Sequence, residues 1–379
     1  MVEQIPPRPP LGKEGWRDWR SMKTKSKSEF RKRDIFYLVP LWLLSLIAPD
    51  PYLYHKKGFK KKDFFYLGAI CLAPLIWFDP HFHHLMVLAG IYAILSLGLS
   101  LFMGYAGQIS LGHAAFFGIG AYTTAILTTQ CALPTIVAFS ASAVSAAGIA
   151  YLIGRPILKL KGYFLALATL GFGEIFLVII RESTDLTGGV IGIFGIPWFS
   201  VLGFSFDTYL KQYYLIWGVL IGLFIFSKNL VRSKVGRALL AVAASEDAAS
   251  SVGINVSRIK LEIFVLGAAF AGLAGSLFSY VMSTANPEAF SLGLTVLIVM
   301  MVILGGMGNL YGPIAGAILL TWLMDLLSKY QEYSLPIYGV ILILLLIFFP
   351  DGIGTRLNVR VIYLIGYWAK KKKRDEGKL

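Results

Sequence analysis

Long apolar runs separated by short polar or glycine-rich stretches dominate this chain. They fall at residues 85–103, 114–127, 133–154, 163–180, 213–231, 261–283, 290–304, 314–328 and 337–349, with two more at 35–49 and 64–78. Five of them, 85–103, 133–154, 163–180, 213–231 and 261–283, approach the roughly 20 apolar residues that a helix needs to cross a bilayer, and the others are shorter. The pattern predicts an all-α, polytopic integral membrane protein of about ten transmembrane helices, some of them broken by glycine.

Composition agrees with that pattern. Of 379 residues, 56% are hydrophobic and 15% charged, with a mean hydropathy of +0.69. Soluble domains carry roughly 45–50% apolar and about 25% charged residues. A soluble enzyme is excluded, and no large extramembrane catalytic domain fits between the runs. Cys71 and Cys131 stand in or beside apolar segments and imply no disulfide framework.

The net charge of +14 raises nucleic acid as a partner. Its distribution argues for a membrane instead: basic residues gather before the first run (Arg31, Lys32, Arg33), between runs (Lys56, Lys57, Lys60, Lys61, Lys62) and at the end (Lys370 to Arg374). That is positive-inside placement, and no interleaved aromatics mark a nucleic-acid face. Parity then sets the orientation. Residues 155–162 and 228–260 are basic and cytoplasmic, two runs lie between them, and four more return the C-terminal tail, behind Tyr367 and Trp368, to the same side. Counting backwards places residues 55–63 on the cytoplasmic side as well.

The ten Lys and Arg of residues 1–34 prefer that side too. Both preferences hold if residues 35–49, a short run containing Pro40, form an interfacial or re-entrant hairpin; a full crossing would put the N-terminus outside. No cleavable leader is expected, because polar and charged residues precede the first run. The resulting organisation is a basic cytoplasmic tail (1–34), interfacial or extra membrane segments (35–84), a transmembrane domain (85–350) containing a cytoplasmic segment at 236–253, and a second basic tail (351–379).

Two glycine clusters interrupt the apolar pattern: Gly104, Gly107, Gly112, Gly118 and Gly120, and Gly305, Gly306, Gly308 and Gly312 with Pro313. Unwound backbone in a bilayer must be buried in protein or line a cavity, so broken helices point to a transport path; small residues also serve close helix packing. In residues 261–283, Gly267, Ala271 and Gly275 recur at four-residue steps, as do Ala268, Gly272 and Ser276. Those two adjacent faces permit close backbone approach.

Residues 236–260, GRALLAVAASEDAASSVGINVSRIK, are too polar to span. Alanine favours a helix, Gly253 stops it, and Arg258 and Lys260 follow. A short rigid helix at the cytoplasmic face suits docking of a partner, with Glu246 and Asp247 at its middle. This stretch and LEIFVLGAAFAGLAGSLFS (261–279) resemble the coupling segment and following helix of permease subunits from branched-chain amino acid ABC importers. The resemblance extends to SLGHAAFFGIGAY (110–122), LKGYFLALATLGFGEI (160–175), LTGG (186–189) and VILGGMGNLYGP (302–313). GFGE with LTGG resembles the M-type permease more than the H-type or the urea permeases. The first 84 residues fall outside it.

The resemblance implies a multi-pass inner-membrane importer of two different permeases, two cytoplasmic ATPase subunits and an external solute-binding protein. Gly236, Arg237, Glu246, Asp247 and Gly253 would then couple this chain to the ATPase. No G-x-x-x-x-G-K-[ST] loop occurs, since Gly12-Lys13 and Gly377-Lys378 are followed by Glu and Leu. No cofactor is expected in this chain; ATP would be bound by partner subunits.

Other residues are candidates for the path. Glu174, following Gly171 and Gly173 inside an apolar run, is an intramembrane carboxylate that needs water or a partner. It lines a path, holds a broken helix in one of two packings, or fixes contact with the other permease. Gln108, Ser110 and His113 stand at the first glycine break, where polar side chains can satisfy unwound backbone or meet substrate. His81, His83 and His84, beside Asp79, form an external cluster better suited to interfacial anchoring than to tetrahedral metal binding. The loop 181–212, with Thr187, Gly188 and Gly189, is the longest external connection and a landing surface for a binding protein. Asp325 has no evident partner. Rival readings are a permease for urea or amides, a stand-alone secondary transporter needing several buried carboxylates, or an intramembrane enzyme built on His113 and Ser110 without a nucleophile motif.

Overall fold

The computed structural model describes residues 80–328, Leu202 excepted, together with Gly339 and Ile343. The readings of the two basic tails and of the runs at 35–49, 64–78 and 337–349 therefore lie outside the described residues or almost wholly so.

Within them the chain is helical. α1 (Pro80–Ser100) continues into a single π-turn, Leu101–Tyr105, and α2 is His113–Thr129. Next come α3 (Thr135–Ile157), α4 (Tyr163–Glu182), the one-turn α5 (Thr184–Thr187) and α6 (Tyr209–Arg232). The polar stretch forms α7 (Lys234–Ala244) and α8 (Glu246–Ser251), followed by α9 (Val256–Met282), α10 (Leu292–Gly305) and α11 (Tyr311–Ser328). Six helical segments are long and apolar enough to cross a membrane: Pro80–Tyr105, Thr135–Ile157, Tyr163–Glu182, Tyr209–Arg232, Val256–Met282 and Pro287–Gly305. The shorter α2 stands between the first two of these, and α11 follows the last. The predicted total of about ten includes runs beyond the described residues.

Contacts at the helix ends fix the direction of each element. The rings of His84 and Tyr209 meet at 5.1 Å, which brings the starts of α1 and α6 together. Gln130 Nε2 donates to the Leu186 carbonyl at 3.1 Å, so the end of α2 lies by the end of α4. Two short strands, β1 (Ile193–Phe194) and β4 (Thr284–Ala285), pair antiparallel beyond the end of α9. A second pair, β2 (Ser200–Val201) and β3 (Phe204–Ser205), completes this face. At the opposite face lie the α3–α4 turn, with Arg155, Lys159 and Lys161, and the basic α6–α9 connection. The loops that charge assigns to one side of the membrane thus share one end of the bundle, and those it assigns to the other side share the opposite end.

The core is built around α9 and α2. α2 is buried along nearly its whole length, His113 to Thr128. Both small-residue faces predicted on α9 are occupied. A Cβ on Gly267 would meet the Gly98 carbonyl oxygen at 2.8 Å, and one on Gly272 the Ser142 oxygen at 2.5 Å. Backbones this close gain van der Waals contact where lipid supplies no hydrophobic drive. Buried hydroxyls add cross-links: Thr124 Oγ1 to Ser276 Oγ (2.7 Å), Ser279 Oγ to the Ala121 carbonyl (3.2 Å) and Tyr280 OH to the Thr135 carbonyl (2.8 Å).

Three sequence expectations require correction. The coupling segment is not one helix: Ser245 takes extended dihedrals and its side chain accepts from Ala248 N, ending α7 and capping α8. Helix α4 is continuous through Gly171 and Gly173, so Glu174 does not sit on a broken helix. Gly118 and Gly120 likewise lie inside continuous α2, where Gly120 abuts Gly272 of α9. The break of the first cluster is confined to residues 106–112.

Candidate functional site: coupling segment and helix break

The break after α1 and the break after α10 meet in space. A Cβ on Gly104 would lie 2.6 Å from the Gly308 amide nitrogen, and one on Gly305 2.0 Å from the Gly312 oxygen. Gly107, Gly306 and Gly308 all have positive φ (66°, 106° and 81°), a conformation that costs other residues a Cβ clash. The two breaks, around Gly107 and around Gly306 and Gly308, thus form one compact assembly of unwound backbone at the end of the bundle that carries the basic loops. Ser96 Oγ, donating to the Pro313 carbonyl at 3.1 Å, ties α1 to α11 beside it.

The coupling segment lies directly against this break. Gly107 packs on Ala243 of α7, where a Cβ would stand 3.3 Å from the Ala243 Cα. Gln108 Nε2 donates to Glu246 Oε1 at 3.1 Å. The ammonium of Lys260, at the base of α9, donates to the same carboxylate oxygen. The Lys260 side chain is 3% exposed, so this is a shielded ion pair at the root of a membrane helix. Desolvation pushes the Glu246 carboxyl up; hydrogen bonding and charge from Lys260, the Gln108 amide and the Lys161 charge outweigh it and hold the group below its ordinary 4.5.

Asp247 is oriented differently. Its side chain is 96% exposed, with Nζ of the likewise exposed Lys161 3.8 Å away. Exposed Leu240 and Val252, the latter at 75%, share the segment's outer surface with exposed alanines 244 and 248. Arg237 is exposed as well. Gly236 serves the corner between α6 and α7, since a Cβ there would come within 1.9 Å of the Val231 oxygen. Gly253, at φ 84°, terminates the segment as expected from sequence, with its amide donating to Ser250 O.

The first-break residues also contact α4. Leu111 N donates to Thr169 Oγ1 at 2.9 Å, and a Cβ on Gly112 would lie 2.4 Å from the Thr169 oxygen. Gly173 faces Gly112 at ordinary contact, whereas Gly171 faces open space. Glu174 is exposed on the outer side of α4 with Ile175, Val178 and Ile179. His113 is 1% exposed at the start of α2, with its ring against Phe116 (6.0 Å) and Gly267, and neither ring nitrogen has a hydrogen-bond partner among the described residues.

At the opposite end of the bundle the LTGG stretch is a turn-builder. Thr187 is buried and its Oγ1 donates to the Ile180 and Ser183 carbonyls, both at 2.6 Å. Gly188 and Gly189 turn the chain with φ of 74° and 61°, and Gly189 is buried too. The accessible apolar surface is formed by Leu186 of the motif together with Val190, Ile191, Phe194 and Trp198, the last four of which sequence reasoning missed because they read as ordinary loop hydrophobics. Asp325 does have a partner, His81 Nε2 at 3.1 Å, which joins the end of α11 to the start of α1.

An unwound backbone assembly inside a bundle of long apolar helices, fastened to a polar helix pair at one end of the bundle, marks the chain as a multi-pass membrane transport component. The family described as "Branched-chain amino acid transport system / permease component" matches residues 82–350. The high-affinity branched-chain amino acid transport system permease protein LivM of Escherichia coli (strain K12) is 36% identical over 286 residues, covering 69% of this chain and 67% of its own. A probable LivM of Methanocaldococcus jannaschii is 26% identical, covering 70% and 90% of the two chains. LivH of Salmonella typhimurium is 28% identical, covering 73% and 95%. No solved structure matches. The chain belongs to this permease family and is a multi-pass inner-membrane protein.

Proposed function

We propose that this chain is one of two permease subunits of an ATP-driven importer for branched-chain or other hydrophobic amino acids. Two cytoplasmic ATPases drive it and an external solute-binding protein delivers the substrate. The reading is carried by one observation: α7 and α8 present Leu240, Asp247 and Val252 to the cytoplasm while the other side of α8 is bonded to the helix break. Such a segment can take up a push from outside and pass it to backbone that is already unwound.

The chain itself catalyses nothing in this reading. It lacks a phosphate loop, so ATP is bound by the ATPase subunits and reaches the membrane as motion. The second permease covers the apolar outer face of α4, and the substrate path runs between the two permeases past Glu174. Apolar walls suit a hydrophobic side chain, while Glu174 and the unwound backbone offer polar contacts to its zwitterionic end. Gly171 and Gly173 stand beside this route on α4, and His113, packed inside the bundle, supports the start of α2 behind it. The binding protein lands on the exposed apolar residues around Thr187, Gly188 and Gly189.

The test is reconstitution with a second family permease, the two ATPases and the binding protein, followed by uptake of radiolabelled leucine. ATP-dependent accumulation that requires every component is expected. Uptake by this chain alone, driven by an ion gradient, would end the reading.

A further inference from the structure

We infer that Glu246 and Asp247, adjacent in sequence, face opposite partners: Asp247 meets the ATPase, and Glu246 is the inward hub of a linkage that moves the helix break. The inference rests on the proposed function and deepens it by assigning the two carboxylates different work.

The geometry separates them. Asp247 is almost fully exposed, whereas Glu246 is pinned by Gln108 from the α1–α2 break and by Lys260 from the root of α9. Lys260 is too deeply covered to bond a partner protein, and it holds Glu246 against the bundle. An ionised carboxylate receiving two hydrogen bonds is a strong tether, stronger than neutral contacts of the same length. From Gln108 the connection continues within four residues to Leu111 and Gly112, which grip Thr169 of α4. One turn further along α4 lies the Glu174 face.

Displacement of α8 would therefore pull on α9 through Lys260 and on the break through Gln108, and the break would pull on α4. Backbone of positive φ at Gly107 allows the loop to follow without bending a regular helix. Glu246 is thus a positioning residue, acting through the break rather than by touching ATP or substrate.

The experiment uses the full importer in proteoliposomes and reads three quantities: ATPase co-purification with the permeases, ATP hydrolysis, and radiolabelled leucine uptake. For Glu246→Ala and for Gln108→Leu, the ATPases remain bound and uptake per ATP falls about tenfold, the order of change that a tenfold loss in one coupling interaction produces. Asp247→Ala instead loses ATPase co-purification. The exchange Glu246→Lys with Lys260→Glu recovers a substantial part of the uptake lost in either single variant, which a merely misfolded protein would not do. Loss of ATPase binding by Glu246→Ala equal to that of Asp247→Ala would overturn the linkage while leaving the importer intact. So would full coupling in both Glu246→Ala and Gln108→Leu. Failure of the unmodified assembly to show ATP-dependent uptake would remove the functional reading and the linkage with it.

Discussion

Gly275 of α9 lies so close to the Phe117 carbonyl of α2 that a Cβ would come within 1.9 Å of the oxygen and 2.9 Å of Ala121 N. The two central helices touch backbone to backbone here, with Ser279 Oγ bonded to the Ala121 carbonyl one turn away. Gly275→Ala must push them apart, and overpacking of this kind costs about 1–3 kcal/mol. Gly218 of α6 has open space around it, and Gly218→Ala is expected to be neutral or to stabilise by up to about 1 kcal/mol. Thermal unfolding of both variants in detergent checks the contrast; equal midpoints would show that the close approach contributes nothing.

These packing faces were readable in the sequence because small residues at four-residue steps have one geometric meaning on a helix. Gly253 as a stop and the gathering of the basic loops at one end of the bundle were legible for similarly local reasons. The Gln108–Glu246 contact was not, since it joins residues 138 apart and no periodicity encodes a long-range partner. Thr187, Gly188 and Gly189 illustrate the converse: the motif is conspicuous in sequence, yet it forms the turn, and its unremarkable apolar neighbours form the surface. Glycines 171 and 173 misled because a glycine in a membrane helix is compatible with both a break and an intact helix, and neighbouring elements decide between them.

The outer surface of α7 and α8 should tolerate polarity poorly once a partner is seated on it. Val252 is an exposed branched side chain beside the Gly253 turn, the kind of knob that fills a pocket. Val252→Asp would bury an unpaired charge there, and at least a tenfold loss of ATPase binding, about 1.4 kcal/mol, is expected. Helicity and membrane insertion of the isolated chain should be unchanged, because Val252 contributes little to its own fold. Co-purification of ATPases at wild-type levels would argue against docking at this end of the segment.

Glu246 also sets a pH dependence with a definite sign. Its carboxyl is held below the ordinary 4.5, so the ionised form is favoured by the native contacts with Lys260, Gln108 and the Lys161 charge. The stability it contributes is complete above the unfolded value and is lost as pH falls through the depressed native value. Hydrogen exchange of residues 245–253 should show protection independent of this group from about pH 5 upward, with a decline below about pH 4.5 as the acid form appears. Glu246→Gln should abolish that component of the decline. A loss of protection between pH 6 and 8 that depends on Glu246 would contradict the assigned direction.

Glu174 occupies the outer face of continuous α4 among Ile175, Val178 and Ile179, with no ion pair among the described residues. If that face met lipid, an ionised carboxylate near mid-membrane would cost about 2.5–3.5 kcal/mol on insertion-based scales, or would require protonation. Contact with water at a subunit boundary removes that cost. The two environments give opposite results for Glu174→Leu: a lipid-facing site would be stabilised with transport unchanged, while a path-facing site would keep insertion and lose uptake. The second outcome is expected, with radiolabelled leucine uptake reduced at least tenfold, about 1.4 kcal/mol in transition-state terms. Glu174→Cys, with Cys71 and Cys131 replaced by serine, should react with a water-soluble maleimide in the assembled importer, and saturating leucine should slow that labelling. No labelling in any nucleotide state, together with normal uptake by Glu174→Leu, would place the residue in lipid and move the path to another face of the bundle.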